Sequence, residues 1–172
     1  RLGKLDLPLF SIDLHDIAPF LCGTSSYIAT LEILQIFSAI NSGILDETIS
    51  AIQNTAEKLK NLLPDLNKVC KEIAENIAEN LTGVRILSLG VEGMATADYG
   101  AAKLVELTSV PPYTDDIEEF AHCQFWSANP KDFIIYIPNS ILASEVATRS
   151  AKAISEMGFY SLFLGPDCFS VT

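Results

Sequence analysis

The sequence predicts an α/β protein in which a parallel sheet is preceded by a helical segment. Two observations predict this class. Residues 23–81 repeat apolar side chains at helical spacing, and from residue 84 onwards short apolar runs alternate with helical patterns. Strands that are mostly apolar and are joined by helices are typical of a parallel sheet buried on both faces. We expect the main internal boundary at residues 81–84.

Helices are predicted throughout the first half of the chain. The stretch GTSSYIATLEILQIFSAI begins with small capping residues, and its wide apolar face predicts a helix buried on most sides. Residues 46–63 and 66–81 are each amphipathic, and Pro64 with Asp65 predicts a break between two helices. We expect their apolar stripes to face the core. A surface for a partner helix is the alternative.

The second half alternates strands and helices. Three stretches read as strands: VRILSLG, KDFIIYIPN and FYSLFLGPD. Two helical stretches lie between them: GVEGMATADYGAAKLVELT and SILASEVATRSAKAISEMG. Residues 108–130 are predicted to be irregular. Because irregular segments at the carboxyl ends of parallel strands hold ligands in such folds, we expect functional residues there.

Charge and hydropathy exclude several classes of function. The chain has 11 Lys and Arg against 22 Asp and Glu, a formal net charge of −11. This excess of negative charge argues against nucleic acid and anionic membrane surfaces as partners. No apolar run is long enough to span a bilayer and no signal peptide is evident, so we expect a cytoplasmic protein. A phosphate would have to be held mainly by backbone amides and hydroxyls.

The cysteines and histidines do not form a metal-binding pattern. No CxxC pair occurs, and neither histidine has a ligand partner at helical spacing. We therefore expect free thiols in a reducing compartment, with no metal and no cofactor. The cysteines are Cys22, Cys70, Cys123 and Cys168.

Two candidate catalytic residues flank an acidic run in KLVELTSVPPYTDDIEEFAH. Glu106 lies near the end of a predicted helix, where the negative end of the helix dipole favours a protonated carboxyl. That environment suits a general base that removes a proton next to a carbonyl. His122 ends the run, where acidic neighbours favour its charged form. Each residue also has a structural interpretation, since glutamates and histidines are common at helix ends.

Two glycine-containing turns are further candidates for ligand binding. Gly90 and Gly93 follow a strand and open a helix, but GVEGMA lacks the spacing of a dinucleotide turn and Glu92 would repel a phosphate. A tight structural turn is the favoured interpretation. The run GTSS at residues 23–26 offers amides and hydroxyls to an anion or a sugar, and a plain helix cap is the alternative.

In the second half of the chain, GAAKLVE at residues 100–106 is followed by EFAH at 119–122 and IIYIP at 134–138. This succession resembles the second sugar-isomerase (SIS) domain of the glucosamine-6-phosphate synthase family and its relatives. In that family a helix ends in GALKLKE, an E-L-x-H element follows, and then a strand of the VIVVAP type. The matching pieces here are residues 100–106, 119–122 and 134–138. The interval from Glu106 to His122 is the family's own. The stretch LCGTSSYIATLEILQIF similarly resembles a helix from the end of the first SIS domain.

The resemblance implies a three-layer, flavodoxin-like parallel sheet with helices on both faces. It assigns residues 1–45 to the C-terminal part of a first SIS domain, 46–83 to a helical connector, and 84–172 to the N-terminal part of a second SIS domain. On this interpretation the chain is a piece of a longer protein or lacks internal segments. It shows no counterpart of the family's Ser/Thr-rich phosphate loop or of its C-terminal tail with a catalytic lysine.

The resemblance also implies a phosphosugar isomerase that acts on a hexose 6-phosphate, with or without an amino group. Glu106 would move a proton between C1 and C2 through an enediol or enamine. His122 would assist ring opening in a neighbouring subunit of a homodimer, and Glu119 would orient that histidine or the sugar hydroxyls. The residues that would line the sugar are Leu21, Gly23, Thr24 and Ser25.

Several reactions share this chemistry. Isomerisation, deamination of a sugar amine and deglycation of a fructosamine all stay open. The missing phosphate loop and lysine tail favour an alternative, a SIS module that senses a sugar phosphate without turning it over. Glucosamine synthesis from glutamine is not supported, since nothing in the chain resembles a glutamine-hydrolysing domain.

Overall fold

The computed structural model describes residues 24–164 and 169–171. The chain divides into two units, Arg1–Asp65 and Leu66–Thr172. Among the described residues, no helix combines the length and the apolar character needed to cross a membrane.

Two helices come first, α1 over Thr24–Ser42 and α2 over Leu45–Ile77. The prediction that Pro64 separates two helices is wrong, because Pro64 lies inside α2. A proline leaves the carbonyl four residues earlier, that of Lys60, without its helical partner. Lys60 is exposed, so water can bond to that carbonyl. The leucines on either side of the proline favour continued helix.

The predicted burial of these helices is also wrong. Ala39 is the one buried residue among the described residues of α1, and α2 has none. An amphipathic pattern specifies which side of a helix is apolar, but it does not require the covering partner to be in the same chain. Large apolar side chains that stay exposed include Ile28, Leu34, Phe37, Leu59 and Leu62.

A five-stranded sheet forms the centre of the second unit, in the order β2-β1-β3-β4-β5. The strands are β1 (Val84–Ser88), β2 (Pro112–Asp116), β3 (Phe133–Ile137), β4 (Tyr160–Leu164) and β5 (Phe169–Val171). Strands β1 to β4 are parallel, and β5 is antiparallel to β4. The helices are α3 (Val91–Leu107), α4 (Ile117–His122) and α5 (Ile141–Glu156), with a short 3-10 helix at Gln124–Ser127. The predicted α/β class is confirmed.

Strand β2 and helix α4 overturn the prediction that residues 108–130 are irregular. The strand sequence PYTDD contains a proline and two aspartates, which have low strand propensity. It lies at the edge of the sheet, where polar side chains can reach solvent. Its pairing with β1 runs in register from Val84↔Pro112 to Ser88↔Asp116. Backbone hydrogen bonds to β1, rather than an apolar side-chain pattern, therefore specify this strand.

Successive residues of a strand point to opposite faces of the sheet. Both faces carry apolar side chains here, and helices cover both. Helix α3 packs on one face through a cluster of Val84, Ile86, Ala97, Leu104 and Ile135. Helices α4 and α5 pack on the other face through Leu87, Ile117, Phe120, Ile134, Tyr136 and Ala147. The arrangement is a three-layer helix–sheet–helix sandwich.

A buried ion pair joins β1 to the residue that precedes β3. The Nε of Arg85 donates to Oδ2 of Asp132 at 2.9 Å, and both side chains are almost fully buried. The hydroxyl of Thr82 donates to Oδ1 at 2.6 Å, and the backbone N–H of Asn129 donates to Oδ2 at 3.2 Å. These bonds satisfy the carboxylate, as a buried charge requires.

Candidate functional site

The strand order marks one edge of the sheet as the place for a ligand. Strand β1 has β2 on one side and β3 on the other, so the chain winds outwards in both directions from it. In open parallel sheets, ligands bind outside the carboxyl ends of the strands where the strand order reverses. Here that edge is formed by Ser88, by Gly90 before α3, and by Ser140 before α5. The Ser140 hydroxyl accepts from the Ala143 N–H and thereby caps α5.

The turn that opens α3 is filled by a carboxylate of the chain itself. Gly90 has a φ of 79°, a conformation that glycine adopts readily. Its backbone N–H donates to Oδ2 of Asp116 at 3.0 Å. A negative charge thus occupies the start of the helix, where a bound anion would otherwise lie. This geometry agrees with the interpretation of the sequence as a tight structural turn.

Gly93 allows α3 to lie directly against β1. A Cβ at Gly93 would come within 2.6 Å of the Cβ of Ser88, closer than real side chains approach. The Ser88 hydroxyl is fully buried there and has no hydrogen-bond partner among the described residues. The glycine therefore serves close helix–strand packing at the carboxyl edge.

Glu106 lies in the last turn of α3 and is held by a lysine. Because α3 begins at the carboxyl end of β1 and runs back along the sheet, Glu106 lies at the amino edge, not at the carboxyl edge where such folds usually bind ligands. The Nζ of Lys103 donates to both carboxylate oxygens, at 2.9 and 2.8 Å. The Glu106 side chain is 48% exposed, whereas that of Lys103 is 20% exposed. The lysine Nζ also lies 5.0 Å from the centre of the Tyr99 ring. The glutamate is thus accessible to a ligand, and its carboxylate is held in place by a partly buried cation.

Lys103 is a site residue for which the sequence analysis proposed no role. A lysine three residues before a glutamate on one helix is a recognisable signal, since such residues lie on the same side of the helix. The bidentate contact and the burial of the lysine emerge only from the structure.

His122 ends α4 and is open to solvent. Its side chain is 77% exposed, and Nε2 lies 3.9 Å from Oε2 of Glu118 one turn earlier. Glu119, predicted to orient the histidine, is also exposed on α4, and its backbone carbonyl accepts from the Cys123 N–H at 2.8 Å. The carboxylate beside the histidine ring is thus that of Glu118.

The structure does not bring Glu106 and His122 together within one chain. Glu106 belongs to α3, which packs on the face of the sheet that contains Ile86. His122 belongs to α4, which packs on the opposite face with Leu87. The sheet therefore separates the two predicted catalytic residues.

The predicted sugar-lining residues are only partly described. Leu21 and Gly23 lie outside the described residues. Thr24 and Ser25 open α1 in the first unit, and Thr24 is exposed. Their role stays a prediction. Across residues 24–164 and 169–171, no group of three or more His, Cys, Asp or Glu side chains is arranged to hold a metal ion.

Comparison with known proteins adds a likeness in structure. No family model matches the chain, and no curated protein matches it. A crystal structure of a "Putative sugar binding protein" from Salmonella typhimurium LT2 superposes with a TM-score of 0.51 and 20% sequence identity. The match covers 73% of this chain and 41% of the Salmonella protein, so the chain spans less than half of that protein's length. The likeness supports the α/β fold.

Proposed function

We propose that the chain carries part of a SIS-type site for a sugar phosphate, in which Glu106 is the base for proton transfer. The reaction would be C1/C2 proton transfer on a hexose 6-phosphate, with or without an amino group, through an enediol or enamine. Residues 1–45 would then be the end of a first SIS domain, 46–83 the connector, and 84–172 the start of a second domain.

The observation that carries this proposal is the contact between Lys103 and Glu106. A base for carbon acids must be accessible to the substrate and fixed in orientation. Glu106 meets both requirements, since it is about half exposed and both of its oxygens contact the Lys103 ammonium. The same ammonium would place positive charge beside the oxygen that becomes negative in an enediolate.

A second copy of the chain would complete the site. Since the sheet separates Glu106 from His122 in one chain, a ring-opening role for His122 requires a neighbouring subunit. The exposure of His122 at the end of α4 leaves it available to such a neighbour.

The ligand class draws support from the Salmonella protein, whose name refers to sugar binding. The net charge of −11 disfavours the binding of a phosphorylated ligand, which is itself negative. Lys103 places a local positive charge beside Glu106 in spite of this net negative charge.

The test is proton NMR in D2O with fructose 6-phosphate, glucose 6-phosphate, glucosamine 6-phosphate and a fructosamine 6-phosphate. Deuterium should enter C1 or C2 of one of them, because exchange needs only a positioned base. The exchange should disappear in Glu106→Gln and persist in Glu156→Gln, which changes an exposed glutamate at the end of α5. Exchange that survives in Glu106→Gln would show that Glu106 is not the base.

The alternative is a module that binds a sugar phosphate without turning it over. One observation favours it: Glu106 and His122 lie on opposite faces of the sheet, so a single chain does not assemble both groups. A sensor would show saturable binding of one of the four sugars without deuterium exchange at any concentration of the protein.

A further inference from the structure

A small cavity lies between the sheet and α4, on the face opposite to α3 and Glu106. Its volume is about 90 Å³. Its walls come from neighbouring positions on β1 and β2, from α4 and from the 3-10 helix. The lining residues are Arg85, Leu87, Tyr113, Asp115, Phe120 and Gln124, together with Thr114. The cavity is separate from the proposed sugar site, because the sheet lies between them.

One wall of the cavity carries a carboxylate oxygen without a partner. Oδ1 of Asp115 accepts from the Asp116 N–H at 2.9 Å. Oδ2 of Asp115 is buried and makes no hydrogen bond with any residue that the structure describes. A buried acceptor that is left unpaired is costly, and each case calls for an explanation such as a bound donor. This oxygen can accept a hydrogen bond from a ligand that carries an N–H or O–H group.

Another wall carries a guanidinium group. The Arg85 carbon Cζ lies 4.7 Å from the centre of the Tyr113 ring and 5.9 Å from that of Phe120, so the group lies among the cavity walls. Within the described part of the chain, Nε is the guanidinium nitrogen that forms a hydrogen bond, to Asp132. The two terminal nitrogens are therefore donors that can still bind an acceptor.

The register between β1 and β2 fixes the distance between Arg85 and Asp115. Arg85 pairs with Tyr113, and Asp115 lies two residues further along β2 on the same face. Strand geometry places their Cα atoms about 8 Å apart on neighbouring strands. A ligand between them meets a donor at one end and an acceptor at the other.

We propose that this cavity binds the head group of an α-amino acid, with its carboxylate on Arg85 and its ammonium on Asp115. A simple cation would leave the terminal nitrogens of Arg85 without an acceptor, and a simple anion would meet repulsion from Asp115. A zwitterion satisfies both groups. A cavity of about 150 Å³ holds benzene, so a volume of 90 Å³ suits a head group of a few atoms whose side chain extends outwards.

The test is an NMR titration of the isotopically labelled protein with glycine, and separately with acetate and with methylammonium. Glycine should cause saturable shifts of the amides that line the cavity. Asp115→Asn removes the charge and keeps an oxygen that can accept from Asp116, so the fold should persist while glycine binding weakens at least about tenfold. Glu118→Gln, which removes an exposed negative charge on α4, should bind glycine as the wild type does.

Three results would overturn the proposal. One is a folded wild-type protein whose cavity amides do not respond to glycine. Another is binding of acetate or methylammonium as tight as that of glycine, which would remove the need for both charges. The third is unchanged glycine binding by Asp115→Asn. None of these results depends on sugar binding, since the cavity lies on the other face of the sheet from Glu106.

Discussion

The carboxylate of Asp116 links the starts of two helices by accepting from Gly90. Oδ2 of Asp116 accepts from the Gly90 N–H at 3.0 Å, and Oδ1 accepts from the Glu118 N–H at 2.9 Å. One side chain at the end of β2 thereby caps α4 and occupies the first amide of the α3 turn. The arrangement explains why a glycine-containing turn after a parallel strand does not present an open anion site here.

Replacement of Asp116 by alanine should lower the free energy of unfolding by about 1–2 kcal/mol, because a helix cap is lost. Asp116→Asn should retain most of the stability, since an amide oxygen can still accept from the Glu118 N–H. Urea unfolding measures both changes. Glu145→Ala, at an exposed position of α5, is the control and should change stability by less than about 0.5 kcal/mol. Equal losses for the alanine and asparagine variants would contradict the capping role.

The buried pair of Arg85 and Asp132 should be far more sensitive to substitution than the exposed pair of Lys71 and Glu75. Asp132→Ala leaves the buried guanidinium without its counter-ion and should cost about 3–5 kcal/mol. Lys71→Ala breaks a contact of 3.8 Å between exposed groups and should cost less than about 1 kcal/mol. Denaturant unfolding of both variants compares the two losses. Similar losses would show that Asp132 is not buried as described.

Alkaline pH should destabilise the protein through Tyr136. Burial raises the pKa of this phenol from 10.0 to about 12, while its hydrogen bond to Ser150 acts in the opposite direction. Because the folded-state pKa is the higher one, the stabilisation is present below pH 10 and is lost as the pH rises to 12. The loss should be on the order of 2 kcal/mol.

Tyr136→Phe is the matched variant for that measurement. It should start less stable at neutral pH by about 1 kcal/mol, since the bond to Ser150 is lost. Its unfolding free energy should fall less between pH 10 and 12 than that of the wild type. Parallel pH profiles of the two proteins would argue against the buried phenol as the cause.

Trp126 offers a direct probe of the proposed dimer. It is the one tryptophan of the chain, it lies four residues after His122, and it is 83% exposed. Large exposed aromatic side chains are enriched at interfaces. If His122 reaches a neighbouring subunit, the fluorescence of Trp126 should shift to shorter wavelength as the protein concentration rises. Trp126→Ala should weaken association at least about tenfold. Sedimentation as a monomer at all concentrations would contradict the role of His122.

The sequence was sufficient to predict most of the elements whose side chains form the core, but not α4, whose Ile117 and Phe120 are buried. Strands β1, β3 and β4 are apolar runs, and α3 and α5 have periodic patterns, so each is evident from its own residues. Strand β2 was missed because it is specified by its edge position and by backbone pairing with β1. Neither feature requires an alternating or apolar pattern in the strand sequence PYTDD. The burial of α1 and α2 was mispredicted because a sequence does not show whether an apolar stripe finds a partner.

The candidate site was predictable only in part, for a similar reason. The spacing of Glu106 and Lys103 is visible in the sequence, but the bidentate contact depends on side-chain conformation. The separation of Glu106 from His122 depends on which face of the sheet each helix covers. The face that a helix covers depends on the side of the sheet to which the chain turns after the preceding strand. Residue identities alone do not determine that side.

Binding of a sugar phosphate at the end of α3 can be measured directly. The most direct measurement is an NMR titration of the labelled protein with fructose 6-phosphate up to about 10 mM, above the usual range of KM values. We expect saturable shifts centred on the amides of residues 103–107, with binding retained in Glu106→Gln. Saturable shifts centred elsewhere in the folded protein, or none at all, would contradict binding at this site.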